Sequence, residues 1–295
     1  MNIITAALSQ GLLWGIMVLG VYISYRILDF PDLTADGSIA LGGAVSAICT
    51  VNGINPCLTL CLSLLAGAGA GAVTGFLHSV LQIPGILAGI LTMISLYSVD
   101  IEILGRANIS LLGESTVFTM LSQSLNINQT TASIIVGGIT ALSLVLLLNW
   151  FLATEIGELL RATGDNETMV LSQGKNPAAY KILGLSLSNG FIALAGGFIA
   201  QQQGYADVAM GTGSIVIGLA SIIIGEVVFG KKKGFIYKFT SVIIGSIIYR
   251  LIIAFVLFMG LKPTMLNLFT ALIVAAALSS PAVKKKIKTS QNKKR

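Results

Sequence analysis

The sequence predicts an all-α, polytopic membrane fold, and three observations carry that reading: an apolar composition, a series of apolar runs of spanning length, and basic residues gathered into a few short segments. The chain of 295 residues is 55% hydrophobic and only 10% charged, with a mean hydropathy of +0.89. A soluble domain carries roughly a quarter of its residues as charges. A surface this apolar has to be covered by lipid, which excludes an ordinary soluble enzyme.

A helix needs about 20 apolar residues to cross the hydrocarbon layer. Runs of adequate length cover 6–27, 57–81, 134–152, 178–200, 239–259 and 266–283, and shorter ones cover 38–51, 85–97 and 214–228. The first run has no Lys or Arg before it, so it reads as a span rather than a cleavable signal. Each short run is bordered by Gly or Pro: Gly37 and Gly53, Pro84 and Gly85, Gly213 and Gly230. Short, interrupted apolar segments mark discontinuous helices whose open backbone must face protein or water. Some eight to nine transmembrane segments are therefore expected within a membrane domain of residues 1–283, followed by a basic tail, 284–295.

Charge sets the orientation. Of 18 Lys and Arg, seven lie between Lys284 and Arg295 and four between Lys231 and Lys238, with Arg161, Lys175 and Lys181 in another polar segment. The net charge of +6 thus follows the positive-inside rule rather than marking a nucleic-acid surface, and the tail can also touch anionic headgroups. Tail, Lys231–Lys238 and Thr154–Lys181 are expected inside, and Ser98–Thr131 and Gln201–Gly213 outside. Nine crossings put the N-terminus outside; one re-entrant run would move it inside.

Glycine follows a four-residue step at Gly67, Gly71 and Gly75 and again at Gly85 and Gly89, with Gly196 and Gly197 in a later span. Small residues on one face allow close helix contact in lipid, here within one subunit or along a seam between copies. Cys49, Cys57 and Cys61 lie in or beside apolar runs, away from the single histidine, His78. They lack the convergent ligands a metal needs, and Cys57 and Cys61 are expected to pack as small residues.

Three segments are candidates for function. The polar stretch 155–181 is too structured for a turn: Asp165 or Asn166 can cap a short helix over Glu167–Gln173, with Gly174 as its stop. Such a helix suits docking of a soluble partner or an interfacial position. The second segment, Pro31–Ser38, carries Asp32 and Asp36, and Asp36 can cap the helix that starts near Ser38. It reads as a capped loop or as a gate at a helix break. The third is a set of polar groups at membrane depth, Asn189, Glu226 and Arg250. Asn189 is expected to bond a neighbouring helix, Glu226 to pair with the Lys231 loop, and Arg250 to face a carboxylate, carbonyls or water. A near phosphate loop, GEVVFGKK from Gly225, has Lys232 where Ser or Thr must hold magnesium, so nucleotide binding is not expected.

Here a family resemblance becomes specific. The RATG-N-x(7)-G pattern of Arg161–Gly164, Asn166 and Gly174 resembles the coupling region of ATP-binding-cassette (ABC) importer permeases for branched-chain amino acids, monosaccharides and nucleosides. So do the run from Ser186 to Glu226 and the early segment ILDFPDLTADGSIALGGAVSA. The stretch from Ile83 to Gly113 is most similar to the branch of predicted tryptophan or tyrosine uptake systems. The resemblance implies a type II-like importer permease that is not itself an enzyme and holds no cofactor; ATP-Mg would bind to a separate pair of cytoplasmic ATPases. It implies Glu158, Arg161, Ala162, Gly164, Asn166 and Gly174 as coupling residues; Asp32 and Asp36 at the helix break, with Asn189 and Arg250 at membrane depth, are the candidates along the pathway. It further implies an external binding lipoprotein, a second permease copy and a bacterial inner membrane. An ion-driven secondary transporter is the rival mechanism; inverted repeats and several buried ionisable groups would favour it, but no convincing internal repeat is found and that mechanism leaves the coupling-like stretch unexplained. A sugar or nucleoside is the rival solute, and a non-transporting scaffold a third class.

Overall fold

The computed structural model describes residues 3–230 and 234–260, together with residues 268 and 272. The run 266–283, the loop at Lys231–Lys233 and the basic tail lie almost wholly outside them. The first helix, α1 (Ile3–Tyr22), runs into a π-helical turn at Ile23–Ile27. Then come α2 (Ala35–Val51), α3 (Pro56–Ser79), α4 (Gly85–Leu104), α5 (Val117–Leu125) and α6 (Gln129–Leu152). A hairpin of α7 (Glu155–Asp165) and α8 (Glu167–Ser172) leads to α9 (Pro177–Gln203), α10 (Ser214–Phe229) and α11 (Phe235–Phe258). Six of these helices are long and apolar enough to span a membrane, and α2 and α10 are shorter apolar helices.

The expectation of a short segment at 85–97 is corrected. The helix α4 continues through Asp100 and Glu102 to Leu104, because Asp100 turns inward and is fully buried. The helix stops at Gly105, whose left-handed backbone (φ +67°) is open to glycine at little cost. The all-helical expectation is also adjusted. Asn108–Ser110 (β1) and Tyr205–Asp207 (β2) form an antiparallel ribbon with Ile109 opposite Ala206, joining the loops after α4 and α9.

The helix α9 is the central post, packed against α1, α2 and most extensively α3. The glycine steps make this contact close. A methyl group at Gly67 would meet Ala193 and Asn189, at Gly71 it would meet Leu185, and at Gly75 it would fall 2.7 Å from the Ile182 backbone. The stripe is thus a seam within the subunit. Gly196 likewise faces the backbone of Ile39, and Gly197 faces Leu60 and Ser63. The outer helix faces stay apolar, as with Leu142, Leu146 and Trp150 on α6, which is how a lipid-covered surface differs from a soluble one. Cys57 and Cys61 are exposed rather than packed.

Helix directions follow from the contacts. Gln202, near the end of α9, bonds Ser9 near the start of α1 at 2.7 Å, while Lys181, near the start of α9, meets His78 at the end of α3 at 3.2 Å. One end of the bundle therefore holds the start of α1 and the ribbon, and the other holds the α7–α8 hairpin. Arg26, Arg161, Lys175, Lys181 and Lys238 all belong to the hairpin end.

Candidate functional site

The hairpin is built by local capping. Thr154 accepts a hydrogen bond from Gly157 N (3.3 Å), and Glu155 and Glu158 sit in the first turn of α7, where negative charge suits the helix dipole. Asn166 Oδ1 accepts from Met169 N at 3.2 Å, starting α8. Gly174 ends that region with φ +74°. The short capped helix thus lies where the sequence placed it, with Asn166 rather than Asp165 as the cap. The preceding helix α7 was not foreseen, although Thr154 followed by two early glutamates signals its start.

The coupling candidates divide by what they touch. Glu158 is exposed and lies 3.6 Å from Arg161, whose guanidinium stacks 4.9 Å from the Phe235 ring at the foot of α11. Ala162 is half-buried. Gly164 has no room for a side chain: a methyl group there would fall on the Ile27 carbonyl oxygen. On α8, Val170 is buried while Met169 and Leu171 are exposed, leaving an apolar tip in solvent. The hairpin is clamped to the bundle by Lys181, which reaches Glu167 at 2.6 Å.

From Ile27 the chain leads straight inward. Asp29 takes a left-handed backbone (φ +51°), a conformation that Asp tolerates better than most residues. Asp32 is buried and accepts from Thr34 N (2.9 Å) and from Asn189 Nδ2 (2.6 Å). Asn189 Oδ1 in turn accepts from Ser38 Oγ at 2.7 Å, so one amide ties the loop, α2 and α9 together. Next to it, the hydroxyls of Thr34, Thr74 and Thr92 form a chain at 2.7 and 2.9 Å, linking α3 and α4. Asn189 therefore bonds across helices, as expected. It does so to a carboxylate, in protein that water does not reach.

Asp36 is a correction. Because α2 begins at Ala35, Asp36 lies inside its first turn and cannot cap it. Its carboxylate instead crosses to the start of α10, accepting from Gly213 N (2.9 Å), Ser214 Oγ (2.7 Å) and Ile215 N (2.9 Å). The two broken helices meet start to start, and one acid supplies the acceptors that the first N–H groups of α10 lack. The segment 205–213 is therefore not a simple outer loop: it runs inward, with Gly211 packed on the Asp36 backbone.

Glu226 pairs with Arg26 on the π-helical turn; the expected partner loop at Lys231 lies outside the described residues. Arg250 has a partner that the sequence did not suggest. Its guanidinium lies 4.1 Å from the Trp14 ring centroid, a cation–π contact, and its Nε has no hydrogen-bond partner among the described residues. Asp32, Asp36 and Asn189 are brought together around the start of α2, whereas Arg250 sits elsewhere, between α11 and α1. Sequence reasoning missed Gln201, whose Nε2 donates to Ser46 and Thr59 (both 3.0 Å) and whose Oε1 accepts from Val117 N at 3.0 Å. It also missed Asp100. Asp100 carried a signal, an acid within a largely apolar helix, whereas Gln201 opens a run of three glutamines at the end of α9 and carried none.

Two broken helices meeting inside a bundle of spanning helices, with a structured hairpin at one end, define a multi-pass membrane protein of the transport type. The chain matches the family described as "Branched-chain amino acid transport system / permease component" over residues 3–278, and it belongs to that family. It is 41% identical over 280 residues to a tyrosine transport system permease protein of Clostridioides difficile (strain R20291), covering 95% of this chain and 92% of that one. It is 38% identical over 194 residues to an uncharacterized protein of Rickettsia prowazekii (strain Madrid E), covering 66% of each. No solved structure matches it. The chain is thus a transport-system permease, a class that moves solutes rather than transforming them.

Proposed function

We propose that this chain is the membrane-spanning subunit of an ATP-driven importer that moves an amino acid, with aromatic side chains ahead of branched ones, across a bacterial inner membrane. The solute class rests on the family and on the 41% identical tyrosine permease; a sugar or nucleoside is the alternative. The α7–α8 hairpin is the docking element for a cytoplasmic ATPase, which supplies ATP and magnesium, and no cofactor belongs to this chain. A second permease copy completes the route, an external binding protein delivers the solute, and the basic tail lies in the cytoplasm. With α2 and α10 each counted as part of a crossing, the chain makes eight or nine crossings.

The observation that carries this reading is the contact of Gly164 with Ile27. Only eight residues separate Ile27 from Asp36, and that stretch also contains Asp32 and its bond to Asn189. A shift of α7 therefore acts on the π-helical turn, then on the loop, then on the paired starts of α2 and α10. Packed interfaces have discrete arrangements rather than continuous ones, so a small displacement at the hairpin moves the helix break as a unit.

Full-length tagged chain, purified from its own cells, tests this directly. An ATPase should accompany it, and Met169→Asp with Leu171→Asp should release that ATPase while elution and helix content stay normal, because both side chains are exposed. Undiminished association in that double variant would remove the hairpin from the docking role.

A further inference from the structure

Asp100 is fully buried on α4, and neither of its carboxylate oxygens has a hydrogen-bond partner among the described residues. It lines a cavity of about 370 Å³ with Asp36, Met93, Tyr97, Val208 and Thr212. That volume is within the range of small-molecule sites, about 300–1,000 Å³. The cavity adjoins the meeting point of the two broken helices, and its mouth lies beside Ile94 and Tyr97, both more than half exposed on the outer face of α4.

An isolated carboxylate inside apolar protein is strongly unfavourable unless a cation or donors meet it. Asp36, the second acid in the cavity, is already bonded to Gly213, Ser214 and Ile215, so of the two acids only Asp100 has carboxylate oxygens without a partner among the described residues. No group of three His, Cys, Asp or Glu suited to a metal occurs among the described residues, which argues against a bound ion of that kind. The remaining walls are apolar and aromatic, with the hydroxyls of Tyr97 and Thr212. An unpaired carboxylate beside a cavity that opened onto lipid would be costly, so this face of α4 belongs on a water-filled route.

We infer that Asp100 is the point in the translocation route where the ammonium group of the solute docks, with its side chain against Met93, Tyr97 and Val208. The inference rests on the amino acid reading above. Asp100 lies about 22 Å along α4 from Gly85, at about 1.5 Å per residue, towards the end of the bundle opposite the hairpin. A solute entering at that end meets it early. A single carboxylate without further clamps holds an ammonium group loosely enough to release it.

Binding of radiolabelled L-tyrosine to the full-length chain in lipid nanodiscs tests this, with tyramine and 3-(4-hydroxyphenyl)propionate as competitors. Tyramine keeps the ammonium group and lacks the carboxylate; the propionate has the reverse. Tyramine should displace L-tyrosine within a few-fold of unlabelled L-tyrosine, and the propionate should fail at 100-fold higher concentration. Asp100→Asn should weaken binding at least tenfold, and Asp100→Glu should retain most of it. Absence of saturable binding to the unaltered chain, equal displacement by the propionate, or unchanged binding in a folded Asp100→Asn protein would each overturn the inference. The competitor contrast needs no variant, so it decides the matter even if Asp100→Asn does not fold. Uptake by cells separates the two levels. If cells lacking the chain take up tyrosine normally, the amino acid reading itself fails. If uptake needs the chain and Asp100→Asn restores it fully, only the Asp100 assignment fails.

Discussion

Asn189 is the residue on which the interior depends most visibly. Its amide donates to Asp32 and accepts from Ser38, and Asn189→Ala would leave a buried carboxylate and a hydroxyl without those partners. Losing a hydrogen bond to a charged group and stranding its partner costs about 3 kcal/mol, so the unfolding midpoint in detergent should fall by several degrees. A midpoint equal to that of the unaltered protein would show that water or another donor fills the gap. Arg250 and Trp14 give a second test at this scale. Replacing each and then both should reveal a coupling of about 1–2 kcal/mol, the range for a desolvated cation–π pair. Arg250→Lys should keep partial transport because it keeps the cation over the ring, and Arg250→Leu should lose it. Additive effects would mean the 4.1 Å approach contributes nothing. The sequence made the depth of Arg250 legible but not its partner, since Trp14 lies 236 residues away and only the antiparallel packing of α1 on α11 brings them together.

Among the elements, periodicity revealed what was local and concealed what was not. The capped helix after Asn166, the glycine seam of α3 and the short runs at α2 and α10 were all readable, because cap, stop and four-residue step are encoded within a few neighbours. The length of α4 was not, since a buried acid at Asp100 looks in sequence like the end of an apolar run. Nor was the role of Asp36: its partners at Gly213–Ile215 lie far along the chain, where the expected outer loop meets the run 214–228. The glycine seam supports a sharp contrast. Gly71→Leu drives a side chain into the Leu185 backbone and should destabilise the pair by about 3 kcal/mol or more, seen as loss of monodisperse protein. Gly69→Leu, on the same helix with open space around it, should express and elute normally. Similar behaviour of the two variants would remove α3–α9 contact as the reason for the glycine step.

For the whole molecule, the fold supplies a bundle with two chemically different ends. Orientation can be read with single cysteines on a background lacking Cys49, Cys57 and Cys61. In intact cells an impermeant thiol reagent should label position 114 and not position 175, and the reverse pattern would place the hairpin outside. Transport direction and ATP dependence then follow from how the hairpin meets its partner. The most direct measurement reconstitutes the chain with the ATPase that co-purifies with it, adds the external binding protein on the opposite side, and follows labelled amino acid entering proteoliposomes when ATP is supplied on the hairpin side. ATP-dependent accumulation that is lost in the Met169→Asp, Leu171→Asp variant is the predicted result. Accumulation driven by an ion gradient without ATP, and indifferent to those two substitutions, would contradict it.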